Sequence, residues 1–396
     1  MNYPYARRMQ TIKASEIREI LKLTEQPDVI SFAGGLPAPE LFPIDAIKAV
    51  NSAVLDRCGE QALQYTTTEG YRPLRDWIAN RMNTRLGTAF NGDNILITHG
   101  SQQALDLSGK VFLDEGDVVL CESPTYLAAI SAFRAYGCRF AEVETDEHGM
   151  KPDALERALR ENPDAKLIYV IPDFQNPTGK TWSLERRKRL AELSARWNVP
   201  VLEDNPYGEL RYEGEFLPSV KSLDHTGNVL CTGTFSKIFC PGYRIGWVAG
   251  EKEVIRKYVL VKQGVDLQCN TMAQMTIMEY LNTYDIDAHI DTIREVYKRR
   301  RDIVLEAIGR AFPPDCQYTR PEGGLFLWVE LDKAIDAVAL LEQCVARKVA
   351  FVPGNSFFPN IDKPNTLRIN FSNTRDELIA EGIARIGDVL AQDRDA

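Results

Sequence analysis

A chain of 396 residues with 44% hydrophobic and 26% charged side chains has the composition of a globular protein, either one large domain or two ordinary ones. Its formal net charge of −9 argues against a nucleic-acid partner, because a phosphate backbone selects basic surfaces. No stretch approaches about 18 apolar residues, and the first ten residues lack the apolar core of a secretion signal, so neither a membrane span nor a signal peptide is expected.

Eight cysteines without a C-x-x-C pair fit thiols in a reducing cytoplasm better than a disulfide framework. Four widely spaced histidines offer no ligand spacing for a metal. In chain order, Ala14 to Leu23 reads as a short helix that Ser15 can cap. Gly34-Gly35 and the prolines around it make an irregular segment whose backbone can approach a ligand, although an ordinary turn is the plainer reading of it alone. Helices are predicted at Ile44 to Arg57 and Pro73 to Leu86, with a loop at Tyr65 to Tyr71. Asn94 to Thr98 is a strand that runs into Gly100-Ser-Gln-Gln, the opening of a helix. Strand, glycine, hydroxyl and helix start suit a phosphate, since free backbone N–H groups face the anion there; Gly-Ser also serves as a plain cap.

Strands follow at Asp117 to Glu122, Arg139 to Glu144, Lys166 to Pro172, Pro200 to Asp204, Val229 to Phe235 and Arg244 to Ala249. Helices are expected at Pro124 to Tyr136, with Tyr126 in the first turn, and at Ser183 to Trp197. The strands 166–172 and 200–204 are almost continuously apolar, as strands buried on both faces are. The alternation implies an α/β fold with a mostly parallel sheet. Ligands bind such sheets beyond the carboxyl ends of the strands, where Asn176, Asp204, Tyr207 and Lys237 all fall. After residue 285 the pattern changes to one long helix, Ile286 to Phe312. Strands at Gly323 to Leu331, Val349 to Pro353 and Asn365 to Phe371 follow, with helices at Ala334 to Arg347 and Asp376 to Ala391. The expected division is an arm with a substrate-covering helix over 1–45, a large domain over 46–285 and a smaller α+β domain over 286–396.

The stretch from Gly233 to Trp247 carries the chemistry. Lys237 follows an apolar strand and stands beside Thr234 and Ser236, with Arg244 seven residues on. Hydroxyls and a guanidinium suit a phosphate. An amine in a desolvated, cationic setting loses its proton readily and suits an imine. Both needs meet in a phosphorylated aldehyde, pyridoxal phosphate, and the chain offers candidates for the rest of its site. Asp204 would pair with the ring nitrogen. Asn176 and Tyr207 would donate to the ring oxygen. Ser101, Gln102, Thr234, Ser236 and Arg244 would hold the phosphate, and Tyr126 would cover the ring. Arg368 could clamp an α-carboxylate. Singly, these residues read as caps, turn formers, packing aromatics or ion-pair partners; their order and strand-end placement join them.

The set Asn176-Pro-Thr-Gly, Asp204-x-x-Tyr207, Ser236-Lys237, Arg244 and Arg368 resembles the class I/II aminotransferases, pyridoxal phosphate enzymes of fold type I. The phrases Ile30 to Pro43, Gly100 to Asp106 and Phe351-Val-Pro-Gly354 place the likeness nearest the α-aminoadipate and kynurenine aminotransferase II subgroup. That resemblance implies a homodimer with shared active sites, in which Tyr65 reaches the phosphate in the neighbouring subunit. It implies that Gly35 touches substrate and that Arg18, on a mobile N-terminal helix, meets a distal substrate carboxylate. The expected reaction is transamination with 2-oxoglutarate by a ping-pong cycle, from 2-aminoadipate, glutamate, aromatic or branched donors. Lys237 would act as base and then acid. Another reaction on the same scaffold (β-elimination, decarboxylation or racemisation) would use the same lysine. A ligand-sensing regulator of this fold would need a DNA-binding segment ahead of it, for which the chain leaves no room.

Overall fold

The computed structural model describes residues 3–10 and 28–395; the expected helix from Ala14 to Leu23, with Arg18 in it, lies outside them. Strands run in the order β1 (Ile30–Ser31), β2 (Ile95–Thr98), β3 (Val118–Ser123), β4 (Arg139–Asp146), β5 (Gly149–Met150), β6 (Leu167–Val170) and β7 (Val201–Asp204). Then come β8 (Val229–Thr234), β9 (Gly246–Ala249), β10 (Gln317–Tyr318), β11 (Phe326–Glu330), β12 (Val349–Ala350), β13 (Val352–Pro353) and β14 (Thr366–Asn370).

Among the described residues, eight strands form one sheet in the order β2-β9-β8-β7-β6-β3-β4-β5. Its middle, from β8 through β4, is parallel. β9 runs against both β8 and β2, and β5 against β4. The two reversals at β9 cancel, so β2 points the same way as β8. The carboxyl ends of β2, β3, β6, β7 and β8 therefore share one edge of the sheet.

The central strands are apolar on both faces because each face has its own core. Leu167 and Tyr169 of β6 and Leu202 of β7 enter one buried cluster, while Ile168, Val170 and Val201 enter the other. Each fully buried aliphatic side chain contributes about 1.5–3 kcal/mol by leaving water. The same alternation sends Asp204 to the face of Leu202 and its neighbour Glu203 to the face of Val201.

A second, antiparallel sheet of order β10-β11-β14-β13 follows in the chain. The long helix Ile286–Ala311 packs on the helix Asp376–Asp395. β1 joins this part of the molecule by pairing with β12. Three local expectations change. The expected strand from Val349 to Pro353 divides into β12 and β13, because Val349 and Ala350 pair with β1 whereas Val352 and Pro353 pair with β14. Tyr126 is the N-cap of a helix, Leu127–Arg134, rather than part of its first turn. Thr125 N donates to Phe357 O at 2.9 Å and holds the preceding backbone out of the helix. Arg244 precedes β9 in a left-handed conformation, φ 55°. Helices at Pro152–Glu161, Lys252–Gln263 and Thr271–Thr283 are additions to the sequence reading. No helix among the described residues is long and apolar enough to cross a membrane.

Candidate active site

A cavity of about 620 Å³ opens at the shared carboxyl edge of the large sheet. Ser101 and Gln102 follow β2, Tyr126 follows β3, Asn176 follows β6, Asp204 ends β7, and Thr234, Ser236 and Lys237 follow along β8 and its turn; all line it. Tyr207 and Arg244 line it too, and Arg368 of β14 and Gly35 close it from the other side. Of the residues singled out in the sequence, Tyr65 is the one described residue outside this lining; it is 78% exposed. Arg18 lies outside the described residues.

Register explains the meeting. Asp204 pairs across the sheet with Thr232, and Thr234 and Thr98 both pair with Gly246. The turn after β2 is thus brought beside the turn after β8. The approach is tight: at Gly246 a Cβ would lie 2.7 Å from the backbone carbon of Gly100, whose own φ is +69°. Arg244 Nη2 donates to His99 O at 3.3 Å. Thr234 Oγ1 donates to Ser236 Oγ at 2.8 Å and accepts from Ser236 N at 3.1 Å. Hydroxyls, the start of the helix Gly100–Phe112 and a half-free guanidinium converge on one end of the cavity, a donor set suited to a dianion.

At the other end lies a buried acid. Asp204 accepts from Thr232 Oγ1 at 2.6 Å and Tyr169 OH at 2.8 Å. Both donors are neutral, and burial holds its pKa above the usual carboxylate range. A cationic N–H arriving from the cavity is the partner this carboxylate lacks. Lys237 Nζ donates to Gly35 O at 2.8 Å. Burial first, then Arg368 and Arg244, lower its pKa to about 8, so its amine has a usable neutral fraction near neutral pH.

Arg368 is 3% exposed. Its Nη1 donates to Asn176 Oδ1 at 2.9 Å and its Nη2 to Ala33 O at 2.7 Å, while Nε has no partner. Its guanidinium lies 4.3 Å from the Phe326 ring centre and 5.2 Å from that of Phe357. Among the described residues no carboxylate pairs with it, and burial lowers its pKa to about 10. Asn176 Nδ2 in turn donates to Tyr207 OH at 3.4 Å.

The aminotransferase class I and II family model matches residues 28–386. The chain is 47% identical over 386 residues to aromatic-amino-acid aminotransferase 1 of Thermococcus litoralis, covering 96% of this chain and 93% of that one. It is 44% identical to the 2-aminoadipate transaminase of Thermus thermophilus, over 96% of this chain and 94% of the relative. Its structure matches Pyrococcus horikoshii kynurenine aminotransferase in complex with PMP with a TM-score of 0.95 at 41% identity, covering 99% and 98% of the two chains. The chain belongs to the class I and II aminotransferases. It is a transaminase of fold type I, and its cofactor is pyridoxal 5′-phosphate.

The residues of this aminotransferase suit that cofactor: a cup too close for a Cβ at its phosphate end, a buried acid without a cation at its ring end, and a lysine between them. Sequence reasoning missed the residues that support this set. Tyr169 and Thr232 hold Asp204, and their signal was available, since both sit on its face of neighbouring strands. Phe326 and Phe357 flank Arg368, and Leu36, Leu127 and Ile171 supply apolar wall; no local pattern marks them, because they converge from distant segments.

Proposed function

We propose that this transaminase moves the amino group of aromatic amino acids and 2-aminoadipate, with glutamate and branched donors alongside, to 2-oxoglutarate, and that the cavity is its active site. The observation that carries the reading is Arg368, a buried cation with an unpartnered Nε and no carboxylate of its own, awaiting the α-carboxylate of a substrate. Apolar walls at Leu36, Leu127 and Phe357 beside this cation suit amino acids with large side chains. The relatives named for aromatic amino acids and 2-aminoadipate support the same range.

Lys237 would hold the cofactor covalently. Asp204 would hold its ring nitrogen, and Asn176 and Tyr207 its ring oxygen. Tyr126 would lie over the ring, and Ser101, Gln102, Thr234, Ser236 and Arg244 would hold its phosphate. When bound, the ring supplies a sink for the electrons left when the substrate's Cα–H bond breaks. Lys237 Nζ would take that Cα proton and return it, a role suited to an amine whose pKa lies near the working pH. Arg368 and Asn176 would orient the carboxylate so that the Cα–H faces Lys237, and Gly35 would border the substrate. Arg18 would read a distal carboxylate.

The enzyme would work as a cytoplasmic homodimer. Leu63 and Tyr65 are 75% and 78% exposed, and Leu267 joins them, because Gln268 Oε1 accepts from Thr66 N and Thr271 Oγ1 donates to Gln64 O at 3.4 Å. An apolar patch of this kind suits a second copy, whose cofactor phosphate Tyr65 would reach. We read 46–285 as the cofactor-binding unit, 286–396 as the smaller unit and 1–45 as the arm.

The test is a donor panel with 2-oxoglutarate, following glutamate formation. Wild-type protein should give glutamate and the matching 2-oxo acid. Lys237→Ala should lose turnover by at least about 10⁴-fold, as removal of a residue that is both attachment point and base implies. Arg18→Ala should weaken acidic donors selectively. Release of ammonia or carbon dioxide without need of 2-oxoglutarate would overturn the reading.

A further inference from the structure

The turn that carries Ser101 rests on a cluster of polar side chains behind the cavity, in which Lys262 is buried and Asp266, Gln103 and His99 are half-buried. Lys262, on the helix Lys252–Gln263, is fully buried. Its Nζ donates to Asp266 Oδ1 at 2.7 Å, Asp266 Oδ2 at 2.8 Å and Gln103 Oε1 at 2.9 Å. Gln103 closes the group, since its Nε2 donates to Asp266 Oδ2 at 2.6 Å and its Oε1 accepts from His99 N at 2.8 Å. The His99 ring places Nδ1 2.8 Å from that same carboxylate oxygen, which assigns the ring proton to Nδ1. His99 is thus held at both its backbone N–H and its ring. Its carbonyl accepts from Arg244, and Gly100, Ser101 and Gln102 come next in the chain. None of Lys262, Asp266, Gln103 or His99 lines the cavity.

A metal is the obvious rival occupant, because His99, Asp266 and Cys269 offer ligand atoms within 4.8 Å of one another. The Lys262 ammonium already sits on Asp266 and brings the positive charge a metal would bring. A dication beside it would meet the ammonium's repulsion at short range. An ion pair with one buried and one half-buried partner adds little net stability, so this one is better explained by what it positions.

Resting on the active-site reading above, we propose that Lys262, Asp266 and Gln103 are positioning residues that fix the His99–Gly100 backbone as the floor of the phosphate cup. They set the affinity for the cofactor's phosphate without touching it.

The test uses the full chain stripped of cofactor and three probes: pyridoxal phosphate, pyridoxal and inorganic phosphate. Absorbance follows the first two, and competition against pyridoxal phosphate follows the third. Gln103→Leu removes the bond to His99 N without baring a charge on Gln103. Lys262→Met with Asp266→Asn removes both charges together, so that neither is left buried alone. Each variant should bind pyridoxal phosphate and inorganic phosphate more weakly by the same factor, on the order of tenfold, as loss of one or two charge-assisted hydrogen bonds implies. Pyridoxal, which has no phosphate, should bind as it does to wild type. Equal weakening of all three probes would mark general damage to the fold and overturn the proposal, as would unchanged phosphate affinity. Wild-type protein that bound neither phosphate probe would instead sink the active-site reading.

Discussion

Two buried arginines, Arg187 outside the cavity lining and Arg368 within it, show how this fold treats charge. Arg187 is fully buried and meets Asp173 in two parallel bonds, at 2.7 and 3.1 Å. Its remaining donors go to the carbonyls of Trp182, Pro172 and Pro218. Burial alone would lower its pKa, but the Asp173 carboxylate outweighs burial and raises it. Arg368 is buried almost as deeply, yet it has an amide, one carbonyl and two phenyl rings in place of a carboxylate. Its pKa falls to about 10. The fold completes the cation outside the cavity and leaves the one that lines it incomplete. A buried charge without a countercharge is expensive to fold, which makes it a marker of what the protein is built to receive.

The same substitution at both positions should separate the two roles most widely. Arg187→Met leaves Asp173 buried without its main partner and should cost about 3–5 kcal/mol of stability, read by chemical denaturation. Arg368→Met leaves Asn176 Oδ1 and Ala33 O without a donor but also removes an uncompensated buried charge, so the two effects oppose and stability should fall by less than about 2 kcal/mol, clearly less than in Arg187→Met. Its kcat/KM for amino acids should instead fall on the order of 10²–10³-fold, the scale of losing a buried charge pair with substrate. A strongly destabilised Arg368→Met would mean that the guanidinium serves packing.

Adjacent acids on β7 repeat the contrast one residue apart. Asp204 faces the cavity with two hydroxyl donors. Glu203 faces the opposite core, where it accepts from Val220 N at 2.8 Å and Lys221 N at 3.0 Å. Burial raises the pKa of both. Glu203→Gln sets an amide N–H₂ against backbone donors and should cost about 1–3 kcal/mol, with turnover per folded molecule unchanged. Asp204→Asn should leave stability level and lower turnover on the order of 10²-fold, the scale of removing one preorganised electrostatic contact. Equal loss of activity in both variants would dissolve the distinction.

The candidate site was legible where chemistry coincides with a strand end. Lys237, Asp204 and Asn176 each follow a short apolar run, and the α/β alternation places such residues on one edge. Strand direction was not legible at β9, since a period of two residues says nothing about which way a strand runs. Nor was the division between β12 and β13, which depends on two pairing partners far away in the chain. Tyr126 lines the cavity, but the helix begins at Leu127 rather than at the expected Pro124, because a backbone bond from Thr125 to Phe357, 232 positions on, holds the chain extended. The rings around Arg368 were hidden for the same reason: Phe326 and Phe357 read locally as ordinary core residues.

Glu122 touches both the cavity wall and the second core, and its effect shows only when pH is varied. At the end of β3 it accepts from Ile171 N at 2.9 Å, next to the cavity wall, and from Trp182 Nε1 at 2.8 Å, in the second core. Burial pushes its pKa up to about 7 from an ordinary 4.5, with these hydrogen bonds opposing. The folded protein therefore keeps a proton that the unfolded chain releases between about pH 4.5 and 7. Stability must fall as pH rises through that window and level off above it. Glu122→Gln keeps the shape, cannot ionise, and should remove a slope worth on the order of 3 kcal/mol across the window. Asp204 and Glu203 are raised as well, so both proteins retain part of the trend, and the difference between them isolates Glu122. Denaturation at pH 5, 6, 7 and 8 measures it. Parallel curves would show that Glu122 is ionised throughout, and would place it with Arg187 among charges the fold completes.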